Sequence, residues 1–325
     1  MKAGIIARMC AAIVFGACAM GAHANTWPDK PIKLILPSGP GTPIDVLARI
    51  ISSQVEARIG QPMIVENRPG ADGSIAANAV AHAQPDGYTL LLGNAGIFTI
   101  IPSYDKYVSY DPFKQFAPIA QLVTATLVVD ADPALRLKSL RDLVALSKSH
   151  PGKYNYASST GRSGIAYLFG EQFKELSGAD LTWVGYSQDS AALNDVIAGR
   201  IAMYIDAVGT SLPHYKAGKL DILAVMGDHR SPLLPKVPTV QESGFKGVGG
   251  QAWVGLLAPA GTPAQAVSKL NRAMQEILAR ADVRENLVFN GFEPAYSTPD
   301  QLEALMHSDT ERWKSLIARL HLQRK

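Results

Sequence analysis

Cysteine is nearly missing from this chain: 2 in 325 residues, Cys10 and Cys18. Both fall in a leader-like segment, so the mature protein is expected to have no thiol, disulfide or cysteine metal ligand. Aromatic residues are sparse at 7%, and charge is almost balanced, 31 Lys+Arg against 28 Asp+Glu. A near-neutral chain offers no electrostatic case for nucleic acid or an anionic membrane surface. After residue 20 no apolar run nears the ~20 residues that span a bilayer. His82, His150, His214, His229, His307 and His321 are scattered without His-Glu-x-x-His spacing, so neither metal nor another cofactor is expected. Gly161-Arg162-Ser163-Gly164 is no nucleophile elbow, because its second glycine comes too early. No serine, histidine and acid constellation can be read from spacing, and the expectation is a non-enzyme.

The N-terminus reads as a signal peptide spanning 1–24. Lys2 and Arg8 supply the positive region, Met9 to Met20 is apolar, and Ala22-His23-Ala24 is a small-x-small cleavage site. Cleavage would leave Asn25 first and lower the formal charge from +3 to +1. The alternative is lipid attachment at Cys18, after Phe15-Gly16-Ala17. The length suggests two domains.

The best-specified stretch runs from Leu34 to Ala48. Ile32, Leu34, Ile35 and Leu36 form an apolar run of the kind a strand buried on both faces has. Leu47, Ile51, Val55 and Ile59 then recur every four residues, giving one apolar helix face. Between them Thr42 suits the N-cap, Pro43 the first helical position, and Asp45 the third, a variant capping box. Gly39 and Gly41 leave backbone N–H groups uncovered beside a helix N-terminus, which makes an anion site without a cationic side chain. The plain reading of these glycines is turn geometry alone. Ile44 stands where a dinucleotide fingerprint needs its third glycine, which excludes that reading.

Strand-like and helical segments alternate along the rest of the chain. This predicts an α/β fold whose sheets are mixed but mostly parallel. Met63 to Glu66 and Thr89 to Leu92 read as strands, Ser74 to Ala83 as a helix. Ile119 to Asp130 is long enough to pass from one domain into another, and the stretch from Gly250 to Leu257 can return. Ser139 with Asp142 marks a helix start. Two closing helices are each announced by Thr-Pro-x-Gln, at Thr262 and Thr298. Small-polar loops fall at strand carboxyl ends, where open α/β sheets bind ligands: Gly93 to Gly96, Ser158 to Gly164, and Gly185 to Gln188. Met203 to Asp206 is a strand ending in an acid.

Several stretches together resemble a known family: Glu66-Asn67-Arg68-Pro69-Gly70-Ala71-Asp72-Gly73, Pro85-Asp86-Gly87-Tyr88-Thr89-Leu90, Tyr110-Asp111-Pro112, Phe116-Ala117-Pro118, His214 to Leu220, and Val237 to Gly244. The chain resembles the periplasmic solute-binding receptors of tripartite tricarboxylate transporters, the Bug family, over essentially all of its mature length. The resemblance implies a two-lobed periplasmic binding protein of type II, each lobe a sheet flanked by helices. Residues 25–123 and 250–325 would form lobe 1, and 124–249 lobe 2. It implies a monomer in the periplasm that closes on a small carboxylate and delivers it to membrane permease subunits. The ligand would be a di-, tri- or aromatic carboxylate or an acidic amino acid.

By the same resemblance the first contact loop carries over to Ser38, Gly39, Gly41, Thr42 and Asp45. Here Thr42-Pro43-Ile44 replaces the family's usual run before the aspartate, and Ser38 stands near the family's aromatic position. Asn94 and Ala95 match a second loop, and Ser158, Ser159, Gly161, Arg162 and Ser163 a third with one extra residue. Tyr186 and Asp206 match further contact positions. Arg162 can clamp a second carboxylate or simply face water. Asp206 can orient loop amides, bind an amino group or cap a helix. Tyr186 can donate to ligand or pack between lobes, and Asn94 can be only a turn former. Two other functions fit the same features: a receptor presenting ligand to a membrane sensor, or a periplasmic enzyme acting on carboxylates.

Overall fold

The computed structural model of the chain describes residues 27–159, 161–186, 188–227, 229–249 and 252–324. The signal-peptide and Cys18 readings lie outside them. The first half of the fold opens with strand β1 (Ile32–Leu36), helix α1 (Pro43–Ile59) and strand β2 (Met63–Asn67). Helix α2 (Ser74–Ala81) and strand β3 (Thr89–Asn94) follow. Leu47, Ala48, Ile51, Val55 and Ile59 of α1 are buried, the face read from the four-residue spacing. The helix ends at Gly60, whose left-handed φ of 86° lets its N–H reach the Glu56 carbonyl.

β1 pairs with β2 and β3 in parallel. The rest of that six-stranded sheet is antiparallel: β10 (Ala252–Pro259) lies between β3 and β4 (Phe116–Ala125), and β11 (Phe292–Pro294) edges β4. The second sheet has five strands in the order β7-β6-β8-β5-β9. These are β5 (Leu127–Ala131), β6 (Asn155–Ser158), β7 (Thr182–Gly185), β8 (Met203–Ala207) and β9 (Asp221–Met226). Helices α4 (Leu140–Ser149), α5 (Ile165–Ser177), α6 (Asp189–Ile197) and α7 (Val208–Lys216) connect them. β7, β6 and β8 are parallel, while β5 runs antiparallel to both its neighbours. Both sheets are therefore mixed, with more antiparallel pairing than the alternating pattern suggests. The excess comes from the strands flanking each crossing, which run against the βαβ units they complete.

The chain changes sheets at Thr126, which breaks the expected long strand into β4 and β5, and returns before Ala252. The closing region holds three helices rather than two: α8 (Ala264–Ala279), α9 (Ala281–Phe289) and α10 (Pro299–Arg319). Thr298 and Gln301 form a complete capping box at α10. Thr262 does not cap α8; its hydroxyl donates to the Pro259 carbonyl at 2.8 Å, and Pro263 takes the N-cap position. Helix α10 ties the two halves together. Its Leu302 and Met306 pack with Leu91, Leu257 and Trp253 against the first sheet. Two to three turns later Trp313, Leu316 and Ile317 join the core of β5, β8 and α5.

Candidate functional site

A cleft of about 800 Å³ lies between the two sheets, within the size range of small-molecule sites. Helix N-termini contribute to both of its walls. Gly41, Thr42, Pro43 and Ile44 of α1 line it from the first sheet. Ser163 to Ala166 at the start of α5, Asp189 at the start of α6, and Ala207, Gly209 and Thr210 at the start of α7 line it from the second. The first N–H groups of a helix have no carbonyl partner within it, and the helix end carries partial positive charge. Four helices thus turn their N-terminal ends towards one space, although the Gly41, Gly164, Ala207 and Val208 N–H groups are already taken by protein acceptors.

The first loop is rigidly organised from within. Thr42 Oγ accepts from the Asp45 N–H, donates to the Gly39 carbonyl at 2.8 Å, and lies 2.8 Å from Ser38 Oγ. Gly41, at φ 77°, donates its N–H to Asp45 Oδ2 at 3.0 Å. Asp45 is buried and also accepts from Arg49 at 2.9 Å and from Asn67 Nδ2 at 3.0 Å. Arg49, that Gly41 N–H and Asn67 hold its carboxyl down at about 2 despite burial. Asn67 spans further, donating to the Ser38 carbonyl at 2.9 Å. The Glu66-Asn67-Arg68 motif therefore props the loop rather than touching ligand space. Asp45 is turned inward for the same reason and does not line the cleft.

At the end of β3 there is no loop. Asn94 is the last strand residue, its Oδ1 accepts from the Ile97 N–H at 3.2 Å, and a π-helical turn (Gly96–Ile100) begins at once, leading into α3 (Ile101–Tyr104). Asn94 and Ala95 do line the cleft.

Asp206 lies at the base of the second wall. Its Oδ1 accepts from the Ala207 N–H at 2.7 Å, and Thr210 Oγ1 donates to its other oxygen. Burial, with the Asp189 charge second, raises its pKa to about 7. Behind it Asp130 is fully buried and accepts from Ser211 at 2.6 Å, while its second oxygen has no partner. Burial pushes that carboxyl well up, with the Asp206 charge adding to the effect. Tyr204 donates to Asp189 at 2.8 Å.

Eight of the residues expected at the site line this cleft: Ser38, Gly41, Thr42, Asn94, Ala95, Ser159, Ser163 and Asp206. Six do not, and four of these have clear alternative engagements. Gly39 and Gly161 sit in the lining loops without facing the space. Ser158 is buried and accepts from Trp183 Nε1 at 3.0 Å. Arg162 lies over the Trp183 ring at 4.9 Å and donates to the Tyr167 hydroxyl at 3.3 Å, so its guanidinium is spent on aromatic faces. Tyr186 donates to Asp195 at 2.6 Å instead of to ligand space. Asp45, described above, completes the set.

Sequence reasoning missed Asp72, Asp189 and the start of α7 at Gly209 and Thr210. Asp72 follows a structural-looking motif, yet its Oδ2 accepts from Ser163 Oγ at 2.6 Å, joining the two halves across the cleft. The small residues soon after β8, Gly209 to Ser211, were the legible sign of the start of α7 at the cleft. Among the described residues no group of three or more His, Asp or Glu is placed to hold a metal ion.

Comparison with known proteins agrees with this architecture. The family model described as "Tripartite tricarboxylate transporter family receptor" matches residues 47–322. Protein BugT of Bordetella pertussis is 32% identical over 299 residues, covering 90% of each chain. Among solved structures, R. palustris Rpa4515 with adipate superposes with a TM-score of 0.83 at 29% identity, covering 91% of this chain and 98% of that one. MatC from Rhodopseudomonas palustris with bound malate gives 0.78 at 30% identity, covering 90% and 100%.

Proposed function

This chain belongs to the tripartite tricarboxylate transporter receptor family, and from that premise we propose that it is a periplasmic receptor that captures a small carboxylate by closing two lobes on it. The observation that carries the reading is the convergence of the α1, α5 and α7 N-termini on one cleft. That arrangement recognises an anion through backbone N–H groups without any covalent step. Ser38, Gly41, Thr42, Asn94, Ala95, Ser159 and Ser163 are the contact residues, with Asp45 and Asn67 supporting them.

The lobes in this reading are 25–123 and 250–325 against 124–249, close to the change of sheet at Thr126. Ligand binding favours the closed form because both lobes contribute contacts only then. The signal peptide at 1–24 sends the chain to the periplasm, and no helix among the described residues is long and apolar enough to cross a membrane. The loaded receptor, a monomer, docks on the membrane subunits of a tripartite transporter, and no chemistry is done on the ligand.

A thermal-shift screen of the mature protein against a carboxylate panel tests this. A selective ligand at a hundredfold excess over its Kd adds on the order of 3 kcal/mol of stability. Gly41→Asp, which sets a charge and a strained φ into the first loop, is expected to abolish the shift. A folded protein that responds to no carboxylate, or that consumes one, contradicts the reading.

A further inference from the structure

We infer that the ligand carries a single carboxylate on an apolar body, and that the cleft's own acids exclude a second carboxylate; this rests on the receptor reading above. Three carboxyl side chains, Asp72, Asp189 and Asp206, face the cleft, and among the described residues lining it Lys216 is the one cationic side chain. Lys216 is exposed in the last turn of α7, where water and salt screen it. Arg162, the other cation in a lining loop, is committed to Trp183 and Tyr167.

Each acid already accepts a hydrogen bond from the protein: Asp72 from Ser163, Asp189 from Tyr204, Asp206 from Ala207 and Thr210. Asp72 and Asp189 thus leave the ligand their negative field, and Asp206 adds its own only when ionised. Helix N-termini offer a carboxylate partial positive charge, and the acids beside them offset part of it. In a cleft of about 800 Å³, a second carboxylate on the same small molecule stands close to Asp72 on one wall or to Asp189 on the other. Apolar lining includes Ile97, Ile165, Ile205, Leu212 and Val254, which reward an apolar body by its removal from water. Asp72 is held for this position in a left-handed conformation, φ 52° and ψ 28°, directly after Ala71 at φ 46°.

Calorimetric titration of the mature protein with three probes sharing one phenyl body tests the inference: 3-phenylpropanoate, phenylsuccinate and phenylalanine. The expected result is at least tenfold tighter binding of 3-phenylpropanoate than of either other probe. Equal or tighter binding of phenylsuccinate overturns it. So does tightest binding of phenylalanine, since the acids would then serve an ammonium group. Asp72→Asn keeps the backbone conformation and an acceptor for Ser163, and is expected to shrink the preference over phenylsuccinate at least threefold; an unchanged ratio removes Asp72 from the argument and overturns its assigned role. Binding of malate or adipate with none of the three probes overturns the inference while sparing the receptor reading. Binding of no carboxylate overturns both.

Discussion

At the scale of single residues, the acids of the second wall are the unusual feature. Asp206 has a pKa of about 7 against an ordinary 3.8 because burial disfavours its charge. Between those values the native state holds a proton that the unfolded chain has lost, so stability falls as pH rises through this window and is flat above it. The effect is at most about 4 kcal/mol, and Asp130 behind it acts in the same direction. Asp206→Asn is expected to flatten the loss: between pH 5 and pH 8 the wild-type Tm should drop several degrees more than that of the variant. Parallel profiles in a pH series of melting curves would count against the buried-acid assignment. None of this is legible in the sequence, where Asp206 is one acid at a strand end. Its pKa depends on Asp189 and Ser211, brought near it by two different helices.

Among the elements, α1 is where sequence and structure agree most closely. Thr42, Pro43 and Asp45 occupy the N-cap, first and third positions as their order suggests, because capping is decided within four residues. Thr42→Ala removes the cap, the bond to the Gly39 carbonyl and the contact with Ser38 together. It should cost about 1–2 kcal/mol, lower Tm by a few degrees, and weaken ligand binding by loosening the loop. Unchanged affinity with lowered Tm would separate the cap from the site. Local rules failed at α8, where the same Thr-Pro-x-Gln order as at α10 does not produce a cap. There Thr262 finds the Pro259 carbonyl in the preceding turn, a partner supplied by how β10 ends. The expected loop after β3 is absent for a related reason: Asn94 folds back onto Ile97 N–H and starts a helical turn immediately.

For the whole molecule the decisive feature is how two sheets share one cleft. The chain crosses between them at Thr126 and again before β10, and α10 packs on both cores. The Asp72–Ser163 bond spans the cleft itself. If ligand closes the lobes, small-angle scattering should show a smaller radius of gyration with a bound carboxylate than without, and an identical radius in both states would contradict closure. By itself the sequence determined the α/β class, the buried strands, the face and cap of α1, and the family. These rest on periodicity, on turn chemistry within a few residues, and on motifs that survive as contiguous text. Tertiary structure alone decided that Arg162 turns to Trp183, that Tyr186 turns to Asp195, and that Asp72 reaches Ser163 across 91 positions of chain. A side chain's direction is set by which partner offers it the better hydrogen bond or ring face, and those partners lie on other elements, at distances along the chain that no local pattern records.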